Sequence, residues 1–310
     1  MIDKQYNSEH IEKISIGLPV FNGAKFIERK IKNILEQTFT NFELIISDNA
    51  STDNTIEICK KFKDDRIKIF QQTENIGITP NYDFVLKKAD GKYFAWTSVD
   101  DLMDKRFLEE NLTILKKHDD VVCSSGQVES FGERDEYLKS NKKDNFFNRI
   151  KKSVIRKFSH LENVPANKTY EQNVRLYLKL RGHEQIFYGL FRTEQLKQIM
   201  VNELKHTFDW AVLINGLKLG NYNVVNNTTM FRYDGGITSK GIFNMKKKLE
   251  LGFFDTVFMN GRFVLWCWKN LDRKLFLKNL DCFTRAIFDG FFFLSVDIVR
   301  TCFKKLRITF

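Results

Sequence analysis

The chain has 310 residues, 43% of them hydrophobic and 29% charged, which is enough apolar material for a sizeable core and excludes a disordered chain. Its net charge of +11 admits nucleic acid, an anionic membrane or a phosphorylated ligand as partner. Five widely spaced cysteines (Cys59, Cys123, Cys267, Cys282 and Cys302), none in a C-x-x-C pair, argue against a disulfide framework or a structural zinc site and for a reducing cytoplasm.

The N-terminus, MIDKQYNSEH, is polar and has no signal-peptide core, so secretion by that route is not expected. Ile14 to Val20 then reads as a strand, Ala24 to Gln37 as a helix and Phe42 to Ser47 as a strand. Thr55 to Phe62 reads as a helix, Ile67 to Gln71 as a strand and Pro80 to Lys88 as a helix. Tyr93 to Thr97 follows as a strand, Arg106 to Lys117 as a helix and Val121 to Val128 as a strand. Alternation of this kind, with nearly continuous apolar strands, predicts an α/β fold: a mainly parallel sheet covered by helices on both faces. Ligands of such sheets sit at the carboxyl ends of the strands.

Beyond Val128 the pattern loosens. Residues 139–157 hold eight Lys and Arg against Asp144 alone and read as an exposed loop or helix. Gly182 to Arg192 reads as a strand or turn, and Asp209 to Leu219 as a helix ending at Gly220. Residues 240–310 read as a helical, aromatic extension with 14 Lys and Arg against 6 Asp and Glu. The organisation this suggests is 1–128, 129–238 and 239–310.

Four polar clusters fall at strand ends: Pro19-Val20-Phe21-Asn22-Gly23, Asp48-Asn49-Ala50-Ser51-Thr52-Asp53, Asn75-Ile76-Gly77 and Ser98-Val99-Asp100-Asp101. Singly, each also reads as a turn, a helix cap or a loop. In order at successive strand ends, the runs ISIGLPVFNG, QTFTNFELIISDNASTDNT, NIGITPN and GKYFAWTSVDD resemble the nucleotide-sugar-binding half of glycosyltransferase family 2, the inverting enzymes of GT-A fold. The resemblance covers the first 128 residues and continues more weakly to about residue 238.

That resemblance implies a Rossmann-like mixed sheet with a helical C-terminal extension. It implies that Pro19, Phe21 and Asn22 line the base and ribose pocket, that Asp48 pairs with uracil, and that Asn75, Gly77 and Val99 border the nucleotide. It matches Asp100 to the last carboxylate of the family's D-x-D metal motif, with Asp101 beside it, and so implies Mn²⁺ or Mg²⁺. Chemistry fits these roles: a carboxylate-held divalent ion neutralises a departing diphosphate, and Asp48 can accept the imide N–H that uracil has and cytosine lacks. Phe208-Asp209-Trp210 is similar to the family's E-D-W motif, which makes Asp209 the general base; a helix N-cap is its plainer reading. Gly189 and Trp210 fall on the acceptor side.

Ser98 replaces the first Asp of D-x-D, Asn49 the second Asp of D-D-G-S, and Pro80 an arginine of some members. These departures keep a rival reading open, a catalytically silent nucleotide-sugar-binding scaffold. A nucleotidyltransferase on a similar sheet is a further rival, and a nucleic-acid-binding protein comes last because no such motif accompanies the charge.

In the tail, Asp289 and Asp297 interrupt Ala286 to Val299, so no span of a membrane is expected. Ile287, Phe291, Leu294, Ile298 and Cys302 form one helical stripe and Phe288, Phe292, Val299 and Phe303 the next, with Asp297 and Thr301 opposite. Such a helix suits either an anionic membrane surface or a core or homo-oligomer contact. The combined expectation is a cytoplasmic enzyme, attached at most peripherally to the inner membrane face. It would move a sugar from a UDP-sugar to a glycan or lipid-linked acceptor.

Overall fold

The structure is a computed structural model and describes residues 12–132, 169–179, 183–236, 241–249 and 251–305. The basic stretch 139–157 lies outside the described residues.

Four consecutive strands of one eight-stranded sheet run parallel: β1 (Ile14–Val20), β2 (Phe42–Asp48), β3 (Ile67–Gln71) and β4 (Tyr93–Trp96). β2 and β4 flank β1, in register Val20 to Asp48 and Gly17 to Trp96, and β3 pairs outside β2. The connecting helices α1 (Ile27–Leu35), α2 (Thr55–Cys59) and α3 (Ile78–Lys87) follow these strands. Successive strand residues serve opposite faces. Ile14, Ile16, Leu44, Ile46, Tyr93 and Ala95 enter one buried cluster, while Ile45, Phe94 and Trp96 enter the other.

The sheet then becomes mixed, in the order β3-β2-β1-β4-β7-β6-β8-β5. β5 is Leu102–Met103, and α4 (Phe107–Lys117) leads into β6 (Val121–Phe131). β7 (Leu190–Arg192) runs antiparallel between β4 and β6, and β8 (Asn221–Tyr233) runs parallel to β6. The sequence pattern misses β5 and β8. β8 carries Asn221, Asn223, Asn226 and Asn227, residues disfavoured in strands, and is held by pairing with β6 on both sides of residues 226–228. Its register slips opposite Gly126, where a Cβ would come within 2.7 Å of the Thr228 carbonyl oxygen. Glycine makes that bulge possible.

The stretch read as a strand or turn forms, over its described residues 183–192, a 3₁₀ turn, His183–Tyr188, and then β7. Three helices surround this part: α5 (Tyr170–Lys179), α6 (Thr193–Ile199) and α7 (Phe208–Gly216). The C-terminal region is helical: α8 (Ile242–Leu249), α9 (Phe253–Val257), α10 (Gly261–Asn270), α11 (Arg273–Lys278) and α12 (Leu280–Lys305). Phe263, Trp266, Leu275 and Phe283 from these helices join the same buried cluster as Trp96. Among the described residues no helix is long and apolar enough to cross a membrane.

α12 is oriented in an unusual way. Asp297, the polar side of the wheel, is buried and accepts the Ile242 N–H at the start of α8, and a side chain at Gly241 would collide with its carboxylate. An anion at a helix N-terminus satisfies donors that the helix leaves free. With the acid turned inward, Phe288 and Phe292 face outward at 68% and 64% exposure.

Candidate active site

The β1 and β2 ends are tied together by short polar contacts. Asn22 takes the left-handed conformation, φ 52°, which asparagine tolerates. Its Oδ1 accepts from the Thr52 N–H at 2.8 Å, and its own N–H donates to Ser51 Oγ at 2.8 Å. Asp53 accepts from the Thr55 hydroxyl and from the Ala24 and Thr55 N–H groups, the last two at 3.1 and 3.0 Å; against partial burial, these bonds, the hydroxyl's first, hold its carboxyl below the usual range. Gly23 packs under Val99, so the end of β4 adjoins that of β1. Pro19 is buried within β1, while Phe21 is 41% exposed at its tip and free to stack on a flat ligand.

Asp48 is fully buried at the end of β2. Its Oδ2 accepts from the Ser51 N–H at 3.2 Å, while Oδ1 has no hydrogen-bond partner among the described residues. A buried orphan acceptor is costly, and a ligand N–H would satisfy it. Next to it, Asn49 donates to Asn75 Oδ1 at 3.0 Å and to the Gly77 carbonyl at 3.1 Å, and its Oδ1 accepts from the Ile76 N–H at 2.9 Å. The Asn75–Gly77 loop is thereby fastened to β2. Gly77, at φ 91°, occupies backbone space that other residues rarely enter.

At the end of β4, Ser98 donates its hydroxyl to Asp100 Oδ1. Asp101 is buried, accepts from the Tyr233 N–H at 2.8 Å, and has its carboxyl pushed up to about 6 by burial and by the charge of Asp100. Beneath it, Lys30 reaches the Asp101 carbonyl at 3.0 Å, and Arg29 reaches the Asp100 carbonyl at 3.2 Å. Burial pulls the Lys30 ammonium down to about 8 against the attraction of both aspartates. Lys30 escaped the sequence reading although a signal was there: it shares the buried face of α1 with Ile27, Ile31 and Ile34, where an isolated lysine has no business without a polar partner.

Asp209 lies in the first turn of α7, half-buried. It is not that helix's cap, since Thr207 holds the N-cap position at φ 62°. Trp210 turns away to meet Phe263 edge-on at 5.3 Å. Gly189 brings the backbone before β7 against β6: a Cβ there would lie 2.6 Å from Cys123 Sγ and 2.7 Å from the Ser124 carbonyl oxygen. The side chains of His183 and Glu184 lie outside what the structure describes.

Among the described residues no group of three or more His, Cys, Asp or Glu could by itself enclose a metal ion. Asp100 and Asp101 nevertheless fit an ion that draws its other ligands from a diphosphate and water, as Mg²⁺ and Mn²⁺ do. One Asp100 oxygen, Oδ2, faces Gly236, where a Cβ would lie 3.4 Å from it.

A sheet of this order, with carboxylates gathered at the ends of its parallel strands, is the frame of a nucleotide-binding α/β protein. Residues 15–175, just over half of the chain, match the family described as Glycosyl transferase family 2, and the chain belongs to that family. It is 31% identical over 117 residues to glycosyltransferase GlyG of Streptococcus pneumoniae serotype 4, covering 37% of this chain and 39% of that one. It is 34% identical over 115 residues to the uncharacterized glycosyltransferase RT0329 of Rickettsia typhi, covering 36% of each. The chain thus spans well under half the length of these relatives.

Solved structures show the same fold at low identity. S. aureus TarS 1-349 in complex with UDP-GlcNAc superposes with a TM-score of 0.55 at 16% identity, over 89% of this chain and 81% of that one. The mannosyltransferase PcManGT of Pyrobaculum calidifontis, in complex with GDP-Man and Mn²⁺, gives 0.50 at 13% identity, over 94% and 86%. The fold is therefore GT-A-like: a mixed eight-stranded α/β sheet flanked by helices, with a helical C-terminal region.

Proposed function

We propose that the chain is an inverting glycosyltransferase that moves a sugar from a nucleotide-diphosphate sugar, of uridine type, to a glycan or lipid-linked acceptor. The observation that carries this reading is the meeting, at one side chain, of the segments that bear the candidate acids: Tyr82 packs at 5.3 Å on Phe208, next to Asp209, and at 6.1 Å on Trp96, at the end of the strand that leads to Asp100 and Asp101. Donor-side and base-side acids are thus brought to one region of the fold.

In that region Asp209 takes the proton of an acceptor hydroxyl as its oxygen bonds to the anomeric carbon from the face opposite the leaving group. The bond from that carbon to the diphosphate oxygen breaks in the same displacement, inverting the centre. Asp48 Oδ1 accepts the uracil imide N–H, and Phe21 stacks on the base. Arg29 and Lys30 supply fixed positive charge beside Asp100 and Asp101. A divalent ion held by Asp100, with Asp101 behind it, would neutralise the diphosphate as it leaves. Ser98 orients Asp100 in place of a second carboxylate. Asn49 fastens the loop that borders the nucleotide.

The acceptor side would be formed by the backbone at Gly189 and by α7. A lipid-linked acceptor accords with the outward aromatic face of α12 and with the exposed Lys246, Lys247 and Lys248 in the last turn of α8, which suit attachment to an anionic inner membrane face from the cytoplasm.

The test is a screen of nucleotide sugars for Mn²⁺-dependent hydrolysis and transfer by the full chain. Asp209→Asn should lower turnover by about two to four orders of magnitude while leaving UDP binding intact. Asp100→Ala should abolish the thermal shift produced by UDP with Mn²⁺. Undiminished turnover in Asp209→Asn would remove it as base, and UDP binding without turnover of any sugar by the wild type would favour the silent-scaffold reading.

A further inference from the structure

Tyr82 on α3 and Tyr188 at the end of the 3₁₀ turn bring their phenolic oxygens to 3.3 Å from each other. Their segments are far apart in sequence and meet only through the fold. Two hydroxyls carry two protons, and the bond between them uses one. One O–H is therefore left without a partner among the described residues.

Both rings are held rigidly. The Tyr82 carbonyl accepts from Trp96 Nε1 at 3.0 Å, and its ring packs against Phe208 at 5.3 Å, Phe187 at 5.8 Å and Trp96 at 6.1 Å. Tyr188 meets Phe187 edge-on at 5.4 Å. Packing on this scale fixes where the hydroxyls point, and both residues keep part of their surface exposed. Burial pushes both phenols up, which keeps both protonated as donors.

The packing around the pair locates it. Tyr82 meets Phe208, the neighbour of Asp209 in sequence, and Trp96, the last residue of β4 before the run to Asp100 and Asp101. The pair thus lies near both the segment that carries the acids of the diphosphate end and the one that carries the acid proposed as base, and those acids raise both phenols further. A transferred sugar must lie between those acids, because its anomeric carbon has to face both the leaving oxygen and the attacking one.

We propose that the Tyr82–Tyr188 phenol pair is a subsite for the sugar ring of the donor, giving its unused O–H to a ring hydroxyl and holding the ring between Asp100 and Asp209. This rests on the donor-site reading above. The pair shares one spare proton, so either single phenylalanine variant leaves a hydroxyl able to donate. The decisive variant is Tyr82→Phe with Tyr188→Phe, which keeps both rings and their packing.

The measurement is calorimetric titration of the full chain, with Mn²⁺, by UDP and by UDP-glucose, UDP-galactose and UDP-N-acetylglucosamine. The wild type should bind at least one sugar nucleotide more tightly than UDP. The double variant should lose about three- to tenfold of that advantage, the worth of one hydrogen bond, with UDP affinity unchanged. Retention of the full advantage overturns the proposal, as does a wild type that gains nothing from any sugar, or an equal loss for UDP and its sugars. Unchanged sugar-nucleotide affinity with a shifted pH profile of turnover would place the spare O–H on Asp209 and overturn it as well. Failure of the wild type to bind UDP would overturn the donor site itself and the subsite with it, and is told apart by the UDP titration alone.

Discussion

Asn49 and Asn75 are joined side chain to side chain, Nδ2 to Oδ1 at 3.0 Å, and the same Asn75 oxygen also accepts the Gly77 N–H at 2.9 Å. The position where D-D-G-S has its second Asp is here a two-way clamp, donating to the loop and accepting from it. An aspartate could accept from Ile76 but would set its charge against Asn75 Oδ1 and the Gly77 carbonyl. Asn49→Asp, a return to the family's residue, should therefore destabilise the protein by about 1–3 kcal/mol. Urea unfolding checks this, and UDP affinity should fall with it as the loop loosens. A variant as stable as the wild type would show that the clamp carries no free energy.

Ala50 follows at φ 58°, a left-handed conformation that costs a residue with a Cβ about 1–2 kcal/mol. Glycine adopts it freely, at some cost in unfolded-chain entropy. Ala50→Gly should raise stability by up to about 1 kcal/mol, seen as a small rise in melting temperature at unchanged UDP affinity. A fall in melting temperature would mean that the methyl group makes a contact worth more than the strain.

His206 sits just before α7, and its Nε2 is shielded with no hydrogen-bond partner among the described residues. Burial pushes its pKa down to about 4, against the opposing pull of Asp255. The folded state keeps this ring neutral, while the unfolded chain takes up a proton near pH 6.5. Between about pH 6.5 and 4 the unfolded state binds more protons, so stability falls on acidification by at most about 1.4 kcal/mol per pH unit from this group. Melting curves from pH 7 to 5 should fall more steeply for the wild type than for His206→Gln. Parallel curves would show that His206 does not contribute.

Phe288 and Phe292 lie one turn apart on the outward face of α12. Replacing both with serine should leave stability within about 0.5 kcal/mol, since neither is buried. If that face meets lipid, flotation with phosphatidylglycerol vesicles should weaken at least about tenfold, the transfer free energy of two aromatic rings being ample for such a loss. Binding to phosphatidylcholine vesicles should be weaker from the start. Equal flotation of wild type and variant, or a variant that changes only the oligomeric state in solution, would assign the face to protein contact.

Much of the frame was legible in the sequence because it is local. Ile14–Val20 and Ile67–Gln71 have the same bounds in both, and Phe42–Asp48 and Tyr93–Trp96 each differ by one residue at an end; the central strands, buried along their length, must be apolar there. β8 was not legible, since its asparagine-rich run has no strand signature and gains its conformation from β6. The orientation of α12 was not legible either. A helical wheel separates Asp297 from the aromatic stripes but cannot say which side faces the core.

The sequence by itself determined the alternation of strand and helix, the acids at the strand ends and the family that these runs resemble, all matters of residue type and short spacing. Tertiary structure alone decided that Lys30 lies beneath Asp101, that Asn49 fastens the loop at Asn75, and that Tyr82 meets Tyr188. Those pairings join segments distant in the chain, and their geometry follows from the packing of whole elements, which no local pattern encodes.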